Sequence, residues 1–101
     1  LTPELAWLRQ YWLTRAQLES GDTELALAST TTLASLATNA GPRELAAETV
    51  ALRGNIQQQL GQWEAAQNTF EQNLDPALPR ERRRQALIKV VDVSLARNQP
   101  S

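Results

Sequence analysis

Apolar residues in this chain recur at three- and four-residue intervals, the spacing of one face of an α-helix, and four breaks divide the pattern into five segments. Thr2-Pro3-Glu4 opens the first segment with a hydroxyl cap, a proline at the first helical position and an acid near the positive helix end. Its helix should run to about Ser20, with Leu5, Leu8, Trp12 and Ala16 as the stripe facing the core. Gly21 is the expected left-handed stop, and Asp22 starts a second helix to about Thr38 that carries Leu25, Leu33 and Leu36. Its middle, Ser29-Thr30-Thr31-Thr32, is poor helix material, because hydroxyls and β-branches compete with the helical backbone. Asn39-Ala40-Gly41-Pro42 breaks the pattern, and a third helix from Pro42 to about Leu60 holds Leu45, Leu52, Ile56 and Leu60. After Gly61, a fourth helix from about Gln62 to Leu74 shows the cleanest stripe: Trp63, Ala66, Phe70 and Leu74. Two prolines bar regular helix from Asp75-Pro76-Ala77-Leu78-Pro79, leaving a connection whose Leu78 can dock. A fifth helix, roughly Arg80 to Arg97, spaces Leu87, Val91 and Leu95 one turn apart before Asn98-Gln99-Pro100 closes it. No segment alternates in the manner of a strand, so the expected fold is all-α with about five antiparallel helices.

Composition narrows the chemistry. The 101 residues suit one small domain, and 42% hydrophobic with 21% charged residues is a folding composition. Cysteine, histidine and methionine are absent, which removes disulfides, thiolate or imidazole metal sites and histidine-dependent nucleophiles. Gly21, Gly41, Gly54 and Gly61 are isolated and form no phosphate loop. The carboxylate pairs Asp22/Glu24 and Glu44/Glu48 lie at helix starts, where acids are favoured for capping reasons. We therefore expect no enzyme, no cofactor and no metal. No apolar run reaches the roughly 18 residues of a membrane span, so no membrane role is expected. Beginning at Leu1 without a signal segment, the sequence reads as a processed product or as a domain of something longer, and it gives no indication of compartment.

The two short turns, Gly21-Asp22-Thr23 and Gly61-Gln62-Trp63, lie 40 residues apart, and each joins a long helix to a second one. A fixed period of this size built from helix–turn–helix units is the signature of an α-solenoid. Gly54, Gly61, Trp63, Ala66, Phe70 and Leu74, with Pro76 and Pro79 beyond them, follow the order of small, turn, aromatic and apolar residues in a tetratricopeptide repeat (TPR). The stretch from Ala47 to about Leu78 resembles that family, although Arg53 and Gln57 replace its usual leucine and aromatic. The first unit, from about Trp7 to Ala40, keeps Leu13, Gly21 and Ala26 but has Thr14, Thr23 and Thr30 at the small and aromatic places. The resemblance implies an α-α superhelix, a TPR-like solenoid, as one domain over 1–101 with units about 3–40 and 42–79 and a terminal helix 80–97.

What the resemblance implies for function is protein–protein interaction: first helices of successive units would line a concave groove for a peptide or partner domain. The expected partner-binding residues are Tyr11, Arg15, Glu48, Asn55, Gln58 and Gln59, with Leu8, Leu18 and Ala51 between them and Gln85 and Lys89 from the fifth helix. Trp7 lies off the Leu5-Leu8-Trp12 line and is expected to be half exposed or packed on a neighbouring unit outside this sequence or on another chain, with ordinary core as the alternative. Self-association through the aromatic amino end and the apolar edge of the fifth helix is the alternative, making a homo-oligomer; a regulatory domain of a larger protein is another. Residues 1–74 hold four arginines against eight acids, whereas residues 75–101 hold five arginines and one lysine against three acids. Arg80-Glu81-Arg82-Arg83-Arg84 has no interleaved aromatic for base stacking, so a solvated face or salt bridges to Glu64, Glu71 or Asp75 are expected rather than nucleic acid.

Overall fold

The computed structural model describes residues 2–98. It contains α1 (Pro3–Glu19), α2 (Thr23–Ala40), α3 (Arg43–Gln59), α4 (Trp63–Glu71) with a 3-10 turn (Gln72–Leu74), and α5 (Arg80–Arg97). There is no strand among the described residues, and Gln99-Pro100 lies outside them. The Thr2 hydroxyl accepts from the Leu5 N–H at 3.2 Å, and Pro3 stands at the first helical position, as the sequence predicts.

The two turns 40 residues apart have the same geometry. Gly21 and Gly61 have φ of +87° and +74°, a region open to glycine without steric cost. The N–H of Asp22 reaches Gln17 O and that of Gln62 reaches Gln57 O, both at 2.9 Å, which satisfies the carbonyls at the helix ends. Side chains repeat the pattern: the Ser29 hydroxyl donates to Gln17 Oε1 at 2.7 Å, and the Thr69 hydroxyl to Gln57 Oε1 at 2.6 Å. At one further pair of positions 40 residues apart the two helix pairs differ, with Thr14 and Thr30 buried in α1 and α2 and Gly54 and Phe70 in α3 and α4. A Cβ on Gly54 would lie 2.5 Å from Phe70 Cε1, so the missing side chain is what admits the ring.

Each helix packs on the next. Gln57 meets Thr69 near the α3–α4 turn and Ala47 O accepts from Asn73 Nδ2 at 2.9 Å at the far end, so α3 and α4 run antiparallel. α5 crosses back over α4, with Arg97 Nη1 donating to Gln67 Oε1 at 2.7 Å and Val93 packed with Ala66 and Phe70. Leu78 docks in the connection, where an Asx turn is closed by Ala77 N–H donating to Asp75 Oδ1 at 2.9 Å. Trp7, Ala26, Leu33, Ala37, Leu52 and Ile56 form the larger core, between α1, α2 and α3. The array measures 49 × 34 × 16 Å. Its exposed surface of 6238 Å² exceeds the roughly 5,700 Å² of a compact chain of this mass, as an open row of helices should.

The stripes of α3 and α4 face the core as expected. Those of α1 and α5 do not: Leu5, Leu8 and Trp12, and likewise Leu87, Val91 and Leu95, point outward, and Leu25 of α2 is exposed as well. Both helices are apolar on two sides. α1 turns Trp7, Tyr11 and Leu18 inward, and α5 turns Ala86, Val90 and Val93 inward. On α1 the deciding contact is polar, since the Trp7 indole N–H donates to Thr49 Oγ1 of α3 at 2.9 Å in a buried site.

Candidate functional site

α1, α3 and α5 line one side of the array, and a chain of polar contacts ties them together. Arg15 Nη1 donates to the Tyr11 hydroxyl at 3.1 Å, and that hydroxyl donates to Glu48 Oε1 of α3 at 3.1 Å. From the other side Arg82 of α5 donates to Glu48 Oε2 at 2.9 Å and also pairs with Glu44. The Tyr11 ring stacks on Trp7 with centroids 5.0 Å apart, and the Arg15 guanidinium lies 5.9 Å from its centre. Burial raises the Tyr11 pKa, with the Glu48 charge adding to it against the opposing hydrogen bond from Arg15. For Arg82, burial works against the charge, but Glu44 and Glu48 together outweigh it and raise the pKa.

Two hollows open beside this network and share Asn55 and Lys89. One, about 400 Å³, lies between α3 and α5, with Glu48, Ala51, Gln85 and Arg82 around it and Phe70 at its base. The second, about 450 Å³, is edged by Arg15, Asn55, Gln58, Gln59 and Lys89 above an apolar base of Leu18 and Leu52. Among the described residues no carboxylate lines it.

No known protein family, curated protein or solved structure matches this chain. Among the described residues no three acidic side chains converge as metal ligands would, and no helix is long and apolar enough to cross a membrane.

The residues expected to bind a partner divide into three groups. Tyr11, Arg15 and Glu48 are engaged with one another and with Arg82, so they chiefly hold the groove in shape. Asn55, Gln58 and Gln59 surround the second hollow, and among the described residues their amides make no side-chain hydrogen bond within the chain. Trp7 is only 5% exposed and belongs to the core, which corrects the expectation of a half-exposed aromatic. It packs on α3 of the same chain, where its indole N–H has a buried acceptor. Leu8 turns away from the groove.

Arg82 is the site residue that sequence reasoning placed elsewhere. The expected acceptors of its cluster, Glu64, Glu71 and Asp75, are not used, and the acids of α3 take their place. The signal lay in spacing: Arg82, Gln85 and Lys89 share one side of α5, and Glu44 and Glu48 sit one turn apart on α3.

Proposed function

We propose that this chain is a protein-interaction module whose α1–α3–α5 groove receives an extended peptide carrying an acidic side chain. The observation that carries the reading is the second hollow. Two cations, Arg15 and Lys89, and three amides converge there over an apolar base, and among the described residues no carboxylate lines the hollow beside them. Amide side chains can pair with a peptide backbone, the cations with a carboxylate, and Leu18 and Leu52 with an apolar side chain. The Arg15–Tyr11–Glu48–Arg82 network keeps the walls fixed before binding, which lowers the ordering cost of association.

The arrangement supports a TPR-like superhelix through the 40-residue recurrence of turn and Gln–hydroxyl contacts and through the Gly54–Phe70 pairing. In such an array the role is that of an adaptor, a chaperone-like holder or an assembly module rather than a catalyst.

The test is selection of binders from a random peptide library, followed by anisotropy measurements against wild type, Asn55→Ala and Lys89→Glu. Acidic peptides should emerge, and Lys89→Glu should weaken them about tenfold or more, since a charge-assisted hydrogen bond is lost. Selected peptides indifferent to both substitutions, or no selection at all, would contradict the proposal.

A further inference from the structure

The two terminal helices each present an outward line of side chains that nothing in the array covers. On α1 it runs Leu5, Leu8, Trp12 and Ala16 and ends at Glu19; on α5 it runs Arg80, Arg84, Leu87, Val91 and Leu95, with Ile88 beside it. The large apolar members are 41% to 61% exposed and, with Leu13 and Leu25, make up the large exposed hydrophobics of the described residues. Two uncovered apolar lines on so small a chain point to contact surfaces.

α3 shows what such faces accommodate. Forty residues beyond Leu5, Trp12 and Ala16 stand Leu45, Leu52 and Ile56, the side of α3 packed into the core with Ala26, Leu33 and Ala37 of α2. On α5, Ala86 and Val93 take the inward places that Thr49 and Ile56 take on α3. In that register Val91 stands where Gly54 stands, beneath Phe70 of α4. Leu5, Trp12 and Ala16 of α1 and Val91 of α5 thus correspond to places on α3 that a neighbouring helix covers, whereas Leu8 and Leu95 correspond to Glu48 and Gln58 of the groove.

We propose that the two lines cover each other between copies of this chain, α1 of one copy lying antiparallel on α5 of the next. The helices have 17 and 18 residues, and the two lines on them match in length at about 22 Å. Set antiparallel, Leu5 meets Leu95, Leu8 meets Val91, Trp12 meets Leu87 and Ile88, and Glu19 falls beside Arg80 and Arg84. Both arginines are exposed, and among the described residues the ion pairs of this cluster are those of Arg82 alone. The other pairings fit worse. A parallel contact puts the arginines on Leu5 and Leu8; α5 on α5 puts them on the apolar surface of Val91 and Leu95 or on each other; α1 on α1 sets Glu19 on Leu5. The charges therefore select the head-to-tail contact, in which opposite ends carry opposite signs. Because each copy keeps one free end, the contact propagates into a ring or a filament. The proposal is independent of the groove reading, since neither line borders the groove.

The experiment is light scattering on wild type, Trp12→Glu and Val91→Glu, each alone and the two variants mixed in equal amounts. Both substitutions fall on exposed side chains, and circular dichroism verifies that the fold is kept. Wild type should rise above its 11.2 kDa monomer mass between about 10 μM and about 1 mM, the range for a contact of one helix pair. Each variant alone should stay monomeric, and the mixture should form a dimer and nothing larger. Placing Glu19→Arg on the Val91→Glu copy should weaken that dimer about threefold or more, and Arg84→Glu on the other copy should restore it. A monomeric wild type, a variant that still self-associates, a mixture that stays monomeric, or a charge swap that fails to restore pairing would overturn the proposal.

Discussion

Replacing Gly54 by alanine sets two effects of known size against each other. In the interior of α3 the substitution should stabilise the helix by about 0.8–1 kcal/mol, because alanine loses less backbone freedom than glycine. The added methyl would, however, lie 2.5, 2.7 and 2.8 Å from Cε1, Cζ and Cδ1 of Phe70. Carbon pairs prefer roughly 3.5–4.0 Å, so the ring must retreat by about 1 Å. The ring is 2% exposed and packed with Ala66 and Val93, so it can yield only toward the hollow that it floors between α3 and α5. Overpacking of this kind costs about 1–3 kcal/mol, and three atoms of one rigid ring place it near the upper end. The net loss should be about 2 kcal/mol, or a melting point lower by about 8–16 °C for a domain of this size. Urea and thermal unfolding followed by circular dichroism measure it, with an unchanged m-value showing that the unfolding reaction is the same. Phe70→Leu, made in wild type and in the Gly54→Ala protein, completes a double-mutant cycle. It should cost less in the alanine background than beside Gly54, with a coupling of about 1–2 kcal/mol. A Gly54→Ala protein more stable than wild type, or a strictly additive cycle, would show that the ring contact does not govern stability here.

Three further outcomes are expected. Gln57→Ala should destabilise by about 1–3 kcal/mol, because the buried Thr69 hydroxyl loses its acceptor, and Gln17→Ala should cost less, since Ser29 and Gln17 are only half-buried; paired urea midpoints check both. Thr49→Val should also cost about 1–3 kcal/mol by stranding the Trp7 indole N–H, and Trp7→Phe added to it should recover part of that loss. The raised pKa of Tyr11 means that the folded chain keeps the phenol proton where the unfolded chain gives it up. Its contribution is therefore complete below the ordinary tyrosine value near 10 and is lost as pH rises through the raised one. Tyrosinate absorbance reads this directly, Tyr11 being the single tyrosine, and Tyr11→Phe should flatten the alkaline fall of the urea midpoint relative to wild type.

The helix bounds were legible because capping residues and glycine turns act locally: Thr2-Pro3, Gly21 and Gly61 do in the structure what their positions in the sequence predict. The inward faces of α3 and α4 were legible as well, through Leu52, Ile56, Ala66 and Phe70. Periodicity misplaced α1 and α5 because each carries a second apolar line, and counting apolar residues favours the longer leucine-rich line even where it points outward. What settles the choice is a partner distant in sequence, Thr49 for Trp7 and Phe70 for Val93. The groove shows the same division. Asn55, Gln58 and Lys89 line the second hollow, as their spacing along α3 and α5 suggests, whereas the engagement of Glu48 by Arg82 depends on how far α5 leans over α3.

The proposed role stands on the polar groove, and not another face, receiving the peptide. An amide-resolved NMR titration of the full chain with a selected acidic peptide puts this to the most direct test. Shifts should centre on Arg15, Asn55, Gln58, Gln59 and Lys89 and leave the Trp12 and Val91 faces unmoved. Shifts centred on those outer faces, with the groove silent, would refute the groove as the binding site.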